Sequence, residues 1–133
     1  MEGIYLSLII PAYNEEKRIA RTLTRIKEYL SGQNYTYEVI IVVDGAKDNT
    51  AEVAQNFSKE WPQLKVISNK INHGKGFVVR QGMLAAQGDI RVFTDADNST
   101  DIRHLERLLP KFKEGFEVVI GSRDYRDIVG ATQ

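Results

Sequence analysis

The chain has 133 residues, which fits one domain, and 42% of them are apolar, enough to build a buried core. Its 18 basic and 18 acidic side chains cancel, and no run of like charges forms a basic tail, so the composition does not favour a nucleic-acid partner. The absence of cysteine excludes disulfides, thiol nucleophiles and cysteine-based zinc sites and allows a cytosolic setting, and no apolar stretch approaches the ~18 residues of a membrane span.

Five apolar, β-branched segments recur along the chain, with helical patterns between them. The predicted strands are Tyr5–Ile10, Tyr37–Val43, Leu64–Ile67, Ile90–Thr94 and Glu117–Ile120. Each is nearly continuous in apolar character, which is typical of strands buried on both faces. This alternation predicts an α/β domain, spanning residues 1–133, with a mostly parallel sheet and right-handed crossovers.

The first two helical patterns begin at candidate capping residues. Asn14 can cap a helix that ends near Gly32. The apolar stripe of this helix consists of Ile19, Leu23, Ile26 and Leu30. Asn49, with Glu52 three residues later, resembles a capping box at the start of the second helix. The apolar face of the second helix consists of Val53, Phe57 and Trp61.

The other two helical patterns lie on either side of the fourth strand. Residues 76–87 form the third, and Gly88 is its predicted C-terminal stop. Its apolar positions are Val79, Met83 and Ala86. The fourth begins at Thr100 or Asp101, and Pro110 inside it is expected to kink the helix or end it early. Its apolar positions are Leu105, Leu108, Leu109 and Phe112.

Polar, glycine or charged residues follow every predicted strand. The five segments are Pro11–Glu15, Asp44–Asp48, Asn69–Gly76, Asp95–Asp97 and Gly121–Arg123. In parallel α/β sheets, ligands bind outside the carboxyl ends of the strands. We therefore expect one functional site at this edge of the sheet.

Asp95 and Asp97 follow the fourth strand directly. Residues two apart in an extended stretch point the same way, so both carboxylates can face one spot, where they need a cation or a proton between them. Mg²⁺ or Mn²⁺ suits such oxygen ligands and is often shared with a diphosphate. An isolated Asp-x-Asp also occurs in turns, with Asn98 to Thr100 as turn residues. Its position at the end of a buried strand favours the metal site.

Asp44 and the segment His73–Gly76 are the next candidates. Asp44 could accept hydrogen bonds from a base or ribose, but Asp-Gly is also a strong turn dipeptide, and both interpretations stay open. In His73–Gly76, two glycines flank Lys75 before a helix, which suits a phosphate. The spacing is neither that of a P-loop nor that of a dinucleotide fingerprint.

Tyr13 and Arg123 also follow strands, and the chain has two histidines, His73 in a loop and His104 in the fourth helix. Tyr13 could stack on a base, and Arg123 could hold a phosphate or form only a surface salt bridge. We interpret His73 as a loop residue and His104 as a surface residue. None of the four indicates a reaction by itself.

Taken together, five stretches resemble the family 2 glycosyltransferases of GT-A fold, most closely the dolichyl- and polyprenyl-phosphate glucose and mannose synthases. They are SLIIPAYNEEKRI, EVIIVVDGAKDNT, NHGKGFVVRQGMLAAQGDI, FTDADNST and GSR. The resemblance implies a Rossmann-like three-layer sandwich. It also implies inverting transfer of a hexose, with Mg²⁺ or Mn²⁺, from a donor of the UDP-glucose or GDP-mannose type to a polyprenyl or dolichyl phosphate or another glycan acceptor.

The resemblance also implies roles for individual residues. Those expected to line the nucleotide pocket are Pro11, Ala12, Tyr13 and Glu15. Asp44 would hold the base or ribose, and Gly74 with Lys75 would lie near the nucleotide and sugar. Asp95 and Asp97 would be the metal-binding DxD motif, with Asp97 the more direct ligand. Arg123 would face the acceptor phosphate or the diphosphate, and catalysis would depend on Asp95, Asp97 and Arg123.

The chain departs from the family pattern in residues and in length. Val43 replaces an acid, Ala46 a serine and Asn98 a glycine. The family's catalytic domain continues beyond the G-S-R motif with acceptor-binding elements and often membrane-associated helices, whereas this chain ends at Gln133. We therefore expect residues 1–133 to bind nucleotide but to transfer sugar poorly or not at all alone. The expected location is cytoplasmic, with membrane association only through further parts of a longer protein or through the lipid acceptor.

Three other classes were weighed against a transferase. A non-catalytic nucleotide-sugar-binding module is the main alternative, since Val43 and the chain length fit it. A phospho-receiver domain needs acids directly after its first strand and an aspartate after its third, whereas here the first strand ends in Pro11-Ala12-Tyr13 and the third ends without an aspartate. A nucleotidyltransferase needs a Gly-rich loop after its first strand, where Pro11-Ala12-Tyr13 stands instead.

Overall fold

A computed structural model describes residues 3–96, 102–113, 116–120 and 129–132. The strands are β1 (Leu6–Ala12), β2 (Tyr37–Asp44), β3 (Leu64–Asn69), β4 (Ile90–Phe93), β5 (Phe116–Ile120) and β6 (Val129–Thr132). The helices are α1 (Glu16–Ser31), α2 (Thr50–Glu60), α3 (Lys75–Ala85) and α4 (Leu105–Lys113), and the 3₁₀ turn Ile102–His104 precedes α4. All five predicted strands are present, and β6 is an additional one.

The central sheet has four parallel strands in the order β3-β2-β1-β4. Leu6 at the start of β1 lies opposite Tyr37 on one side and Ile90 on the other. The predicted parallel α/β architecture is therefore confirmed. β5 instead pairs antiparallel with β6 in a separate two-stranded sheet. An apolar run indicates that a strand is buried but not which strand it pairs with, so this pairing could not be predicted.

Helices cover both faces of the parallel sheet. Because successive side chains of a strand point to opposite faces, Leu8 of β1 belongs to the larger core with α1, α2 and α4, whereas Ile9 belongs to the smaller core with α3. This two-sided burial explains why the strands are apolar throughout. Among the described residues, no helix is long and apolar enough to span a bilayer.

The apolar stripe of α1 and the N-cap position of Asn49 are confirmed, but the cap predicted at Asn14 is wrong, because Glu15 is the N-cap of α1. The stripe Ile19, Leu23, Ile26 and Leu30 is buried, and the helix ends at Gly32. Asn14 adopts a left-handed conformation (φ 51°), and its Oδ1 accepts the Lys47 N–H at 2.8 Å. Asn49 precedes α2 without capping it through its side chain. Asn14 thus joins the β1–α1 loop to the β2–α2 loop, and Asn49 Nδ2 donates to Glu16, the first residue of α1.

α3 and α4 also differ from the prediction. α3 buries Val78 and Gly82 more fully than the predicted Val79 and Met83, which are half-buried, because a Cβ on Gly82 would lie 2.5 Å from Ile9 Cγ2 and its absence lets the helix approach the sheet. The third predicted position, Ala86, is buried. Gly88 is not the helix stop, since α3 ends before it. α4 continues past Pro110 to Lys113, so of the two effects predicted for Pro110 the early end is wrong and the kink stays a prediction. Thr100, Asp101 and the Phe112 side chain lie outside the described residues.

A buried carboxylate joins three strands at their amino-terminal ends. Glu38 is 1% exposed and accepts hydrogen bonds from Ser7 Oγ at 2.6 Å, Gln87 N at 2.6 Å and Lys65 Nζ at 2.8 Å. Burial by itself raises the pKa of Glu38, but these hydrogen bonds outweigh it and hold the pKa below its ordinary value. The charged form of Glu38 is therefore part of the folded structure.

Candidate functional site

A pocket of about 280 Å³ opens at the carboxyl ends of β1, β2 and β4. Its lining residues are Pro11, Ala12, Tyr13, Glu15, Asp44, Asn72, Gly74, Lys75, Val78, Asp95 and Ala96. The parallel strand order places these segments together, because every strand delivers its carboxyl end to the same edge.

The pocket brings together most of the residues singled out from the sequence. The residues placed there are Pro11, Ala12, Tyr13, Glu15, Asp44, Gly74, Lys75 and Asp95. Asp97 and Arg123 lie outside the described residues. Sequence reasoning missed Asn72, Val78 and Ala96. Asn72 and Ala96 are in the predicted post-strand segments, so position could have indicated them, but their residue types suggested no chemistry.

Lys75 and Asp95 form an ion pair across the pocket. Lys75 Nζ lies 2.8 Å from Asp95 Oδ1, and the two side chains are 58% and 40% exposed. The same ammonium lies 5.6 Å from the centre of the Phe93 ring. A pair this exposed contributes little to stability. The pair therefore keeps a cation and a carboxylate side by side and accessible to a ligand.

Asp44 connects the end of β2 to the loop between β3 and α3. Its side chain is buried, with 3% exposure. Both carboxylate oxygens accept the backbone N–H of His73 at 3.0 Å, and Oδ2 also accepts the backbone N–H of Gly74 at 2.7 Å. Hydrogen bonds to an ionised acceptor are roughly twice as strong as neutral ones. The carboxylate thus fixes the backbone that leads directly into Lys75.

The chain also bends sharply at Asp44-Gly45, as the turn interpretation expects. Gly45 has a left-handed φ of 66°, and a Cβ there would lie 2.4 Å from the Asn72 nitrogen. Asn72 Nδ2 donates to the Asp44 carbonyl at 3.1 Å, and Gly45 N donates to the Asn69 carbonyl at 2.9 Å. Only glycine fits this close approach of two loops. The bend at Gly45 therefore lets Asn72 pack against Asp44, and both of these residues line the pocket.

Gly74 and Lys75 form the start of α3 at the pocket. Gly74 has a φ of 95°, a conformation that favours glycine, and its carbonyl accepts the first helical hydrogen bond, from Val78 N at 3.2 Å. The first N–H groups of a helix have no partner within the helix and carry partial positive charge. Together with the Lys75 ammonium, this end of α3 is the part of the pocket that suits an anion, although Asp44 and Asp95 lie beside it.

The opposite wall of the pocket is formed by the β1–α1 loop. Tyr13 is 45% exposed there, so its ring is available to a ligand. Glu15 N donates to Thr50 Oγ1 at 2.9 Å, and Glu16 N donates to Asp48 Oδ2 at 3.1 Å. Burial raises the pKa of Asp48, but hydrogen bonds from Thr50 and Glu16 outweigh it and hold the pKa below its ordinary value. These contacts fix the loop on α2.

Among the described residues of the pocket, Asp95 can serve as one ligand of a divalent metal ion, but they do not form a full set of ligands. Within residues 3–96 and the other described ranges, no group of three or more acidic or histidine side chains is arranged to hold a metal ion. Asp95 supplies a partly exposed carboxylate in the pocket, which is a suitable ligand for a hard cation. Such a cation would draw its other ligands from Asp97, from water or from a bound diphosphate.

Comparison with known proteins agrees with this architecture. The family model "Glycosyl transferase family 2" matches residues 7–132. A dolichyl-phosphate beta-glucosyltransferase of Trichomonas vaginalis is 38% identical over 131 residues, which cover 91% of this chain and 41% of that protein. The chain thus spans about two fifths of the length of the curated relatives it matches.

Two liganded structures share the fold. The mannosyltransferase PcManGT from Pyrobaculum calidifontis, in complex with GDP-Man and Mn²⁺, is 27% identical with a TM-score of 0.62, covering 73% of this chain and 28% of that one. S. aureus TarS 1-349 in complex with UDP-GlcNAc is 26% identical with a TM-score of 0.66, covering 84% and 32%. The predicted GT-A fold is confirmed. With the family match over residues 7–132, it follows that this chain belongs to glycosyl transferase family 2.

Proposed function

We propose that residues 1–133 form the nucleotide-sugar-binding part of an inverting, metal-dependent hexosyltransferase whose acceptor is a dolichyl or polyprenyl phosphate. The observation that carries the proposal is the pocket at the carboxyl ends of the strands, where Lys75 and Asp95 lie 2.8 Å apart. The acceptor class is supported by the Trichomonas relative, a dolichyl-phosphate beta-glucosyltransferase. Because the chain spans only part of that relative, transfer is proposed for the whole protein.

The nucleoside would lie between the β1–α1 loop and the β3–α3 loop. Tyr13, half-exposed on one wall, would stack on the base, and Pro11, Ala12 and Glu15 would complete that wall. Asp44 would contact the base or ribose from the floor while it holds the opposite loop through His73 and Gly74. A donor of the UDP-glucose or GDP-mannose type fits this arrangement.

The diphosphate would lie at the start of α3. Bound Mg²⁺ or Mn²⁺ would neutralise the charge that grows on the nucleoside diphosphate as it leaves. Asp95 would hold the metal together with Asp97, the DxD pair. Lys75, released from Asp95, would reach a diphosphate oxygen beside the N–H groups of α3. The chemistry of these residues is therefore positioning and charge stabilisation.

The acceptor phosphate needs no general base. A phosphate is already anionic at neutral pH, so it can attack the anomeric carbon directly from the face opposite the diphosphate, which inverts the configuration. Arg123 would orient the acceptor phosphate or the diphosphate. A hydroxyl acceptor would require a base to take its proton.

Titration calorimetry with UDP-glucose and GDP-mannose, with and without Mn²⁺, tests donor binding. We expect one of the two donors to bind, more tightly with Mn²⁺, and Asp95→Asn to abolish the effect of the metal. Lys59→Met, on the exposed surface of α2, is the control for Lys75→Met, which should weaken donor binding in either condition. Mn²⁺-dependent binding that Asp95→Asn leaves unchanged would contradict the metal assignment.

A non-catalytic nucleotide-sugar-binding module is the second candidate. Val43, at a position where the family has an acid, favours it. Donor binding without formation of dolichyl-phosphate hexose by a longer form of the protein would support this candidate. Product formation by the longer form and little by residues 1–133 would support the transferase.

A further inference from the structure

Asn72 is a polar residue of the pocket wall that is held in place on both its backbone and its side chain. It lies in the loop between β3 and α3, where a Cβ on Gly45 would lie only 2.4 Å from its backbone nitrogen. Its side-chain Nδ2 donates to the Asp44 carbonyl oxygen at 3.1 Å. The amide group of Asn72 is therefore oriented before any ligand binds, which lowers the entropic cost of recognition.

The amide oxygen of Asn72 remains available as an acceptor. Oxygen and nitrogen diverge from the same carbon, so an amide whose NH₂ group faces the Asp44 carbonyl turns its oxygen away from that carbonyl. Among the described residues, no donor is hydrogen-bonded to Asn72 Oδ1. Asn72 is exposed and lines the pocket. Its side chain thus offers the pocket an oriented, uncharged hydrogen-bond acceptor.

The carboxylates that line the pocket are engaged in other contacts. Asp44 is 3% exposed, and its carboxylate already accepts two backbone N–H groups of the neighbouring loop. Glu15 forms an ion pair with Arg18. Asp95 forms an ion pair at the end of the pocket proposed for the diphosphate. Asn72 is therefore the acceptor of the lining best placed to contact the edge of a base.

A hydrogen-bond acceptor distinguishes bases by the ring nitrogen that they present. Uracil and guanine carry an N–H on their hydrogen-bonding edge, whereas cytosine and adenine carry a bare ring nitrogen there, which is itself an acceptor. Two acceptors cannot bond to each other, so a site built to accept an N–H rejects the analogue that lacks it. Stacking does not make this distinction, because every base has an aromatic face.

We propose that Asn72 selects the base of the donor, by accepting the ring N–H of a uracil or guanine base through Oδ1. The inference rests on the proposed function, because it concerns the same pocket. Tyr13, half-exposed on the opposite wall, would cover the face of the base and hold it without regard to its identity. Asn72 would then decide between bases that stack equally well.

Titration calorimetry with matched nucleotides, in the presence of Mn²⁺, tests the proposal on the 133-residue chain. UDP and CDP differ only at the edge of the pyrimidine, and GDP and ADP form the nearest purine pair. We expect UDP or GDP to bind the wild-type chain about tenfold more tightly than its partner, as expected for one hydrogen bond. Asn72→Leu should lower the affinity for that nucleotide about tenfold and leave the affinity for its partner nearly unchanged.

The ratio of the two affinities separates recognition of the base from support of the loop. A residue that only supported the loop would, when replaced, weaken both nucleotides of a pair equally. Asn72→Asp keeps an acceptor oxygen and should keep the ratio, even where its charge lowers both affinities. Asn34→Leu, at an exposed asparagine in the α1–β2 loop and outside the pocket, is the matched control and should change neither affinity.

Three results would overturn the proposal. One is equal binding of the two nucleotides within each pair by the wild-type chain. Another is a preference that Asn72→Leu leaves intact, with folding of the variant verified by thermal unfolding. The third is equal weakening of both nucleotides in Asn72→Leu, because Asn72 would then only support the loop. All three leave the proposed function standing, whereas absence of binding to all four nucleotides would overturn that function and this assignment together.

Discussion

Replacing Asp44 with asparagine tests whether this buried carboxylate holds the loop that leads into α3. In the wild-type protein, the two carboxylate oxygens accept the N–H groups of His73 and Gly74 at 2.7 to 3.0 Å. Asparagine keeps one oxygen, but its NH₂ group is a donor and would face a backbone N–H. At least one charge-assisted hydrogen bond is then lost, worth about 1.5–3 kcal/mol, and one N–H is left without an acceptor.

Together these losses should weaken closure of the loop by about 3 kcal/mol. The open loop would then be populated roughly a hundredfold more often, because each 1.4 kcal/mol is about a factor of ten. NMR measurement of amide hydrogen exchange in the nucleotide-free protein reads this directly. We expect the amides of His73 and Gly74 to exchange roughly a hundredfold faster in Asp44→Asn. Nucleotide affinity should fall as well, since Lys75 follows this loop.

Asp48→Asn is the matched control. Asp48 also follows β2 and also accepts backbone N–H groups, from Thr50 at 3.0 Å and Glu16 at 3.1 Å, but it does not line the pocket. Its replacement should affect the starts of α1 and α2 and leave exchange at His73 and Gly74 unchanged. If Asp44→Asn weakens nucleotide binding without changing exchange, Asp44 acts by contacting the ligand, and the reasoning about the loop is refuted.

Two further predictions concern stability. Glu38→Gln should lower the free energy of unfolding by about 2–3 kcal/mol at neutral pH, because it leaves a buried N–H without its acceptor. Since the pKa of Glu38 lies below its ordinary value, the wild-type stabilisation is complete above the ordinary glutamate pKa and is lost as the pH falls through the folded value. Urea titrations should therefore show a smaller difference at acidic pH, and an equal difference at both would contradict this. Gly45→Ala should cost about 2 kcal/mol or more, because the new Cβ would meet Asn72 N at a left-handed φ. Gly76→Ala, with open space around it in α3, should instead stabilise by up to about 1 kcal/mol, and thermal unfolding of both variants provides the comparison.

Long apolar patterns in the sequence predicted their elements well, whereas short capping patterns were right only in part. The second strand was predicted as Tyr37–Val43 and is Tyr37–Asp44, because a strand covered on both faces must be apolar along its length. Asn14 is not the cap of α1, and Asn49 is at the N-cap of α2 without a side-chain cap hydrogen bond. Their side chains bond instead to Lys47 and to Glu16. A side chain that could cap a helix can also bond to any group that the tertiary fold brings near it. The local sequence does not indicate which groups those are.

The fold class, and the edge of the sheet where the candidate site lies, follow from the order of residues along the chain. Parallel strands deliver their carboxyl ends to one edge, so the residues after each strand can be assigned to one place from their order alone. Which residues bond to one another at that edge depends on how the elements pack in three dimensions. Asp44 meets the backbone 29 and 30 residues later, and Lys75 meets Asp95 across 20 residues.

The tertiary structure also decided which apolar residues of α3 remain outside the core. The lack of a side chain on Gly82 lets the helix lie close to Ile9. In this orientation Val78 faces the sheet, and Phe77 and Leu84 remain exposed. The sequence of α3 does not predict which side faces the sheet, because apolar residues occur all around the helix. Hydrogen-bond partners and exposed faces depend on how the elements pack, whereas the elements themselves depend mainly on where apolar side chains recur along the chain.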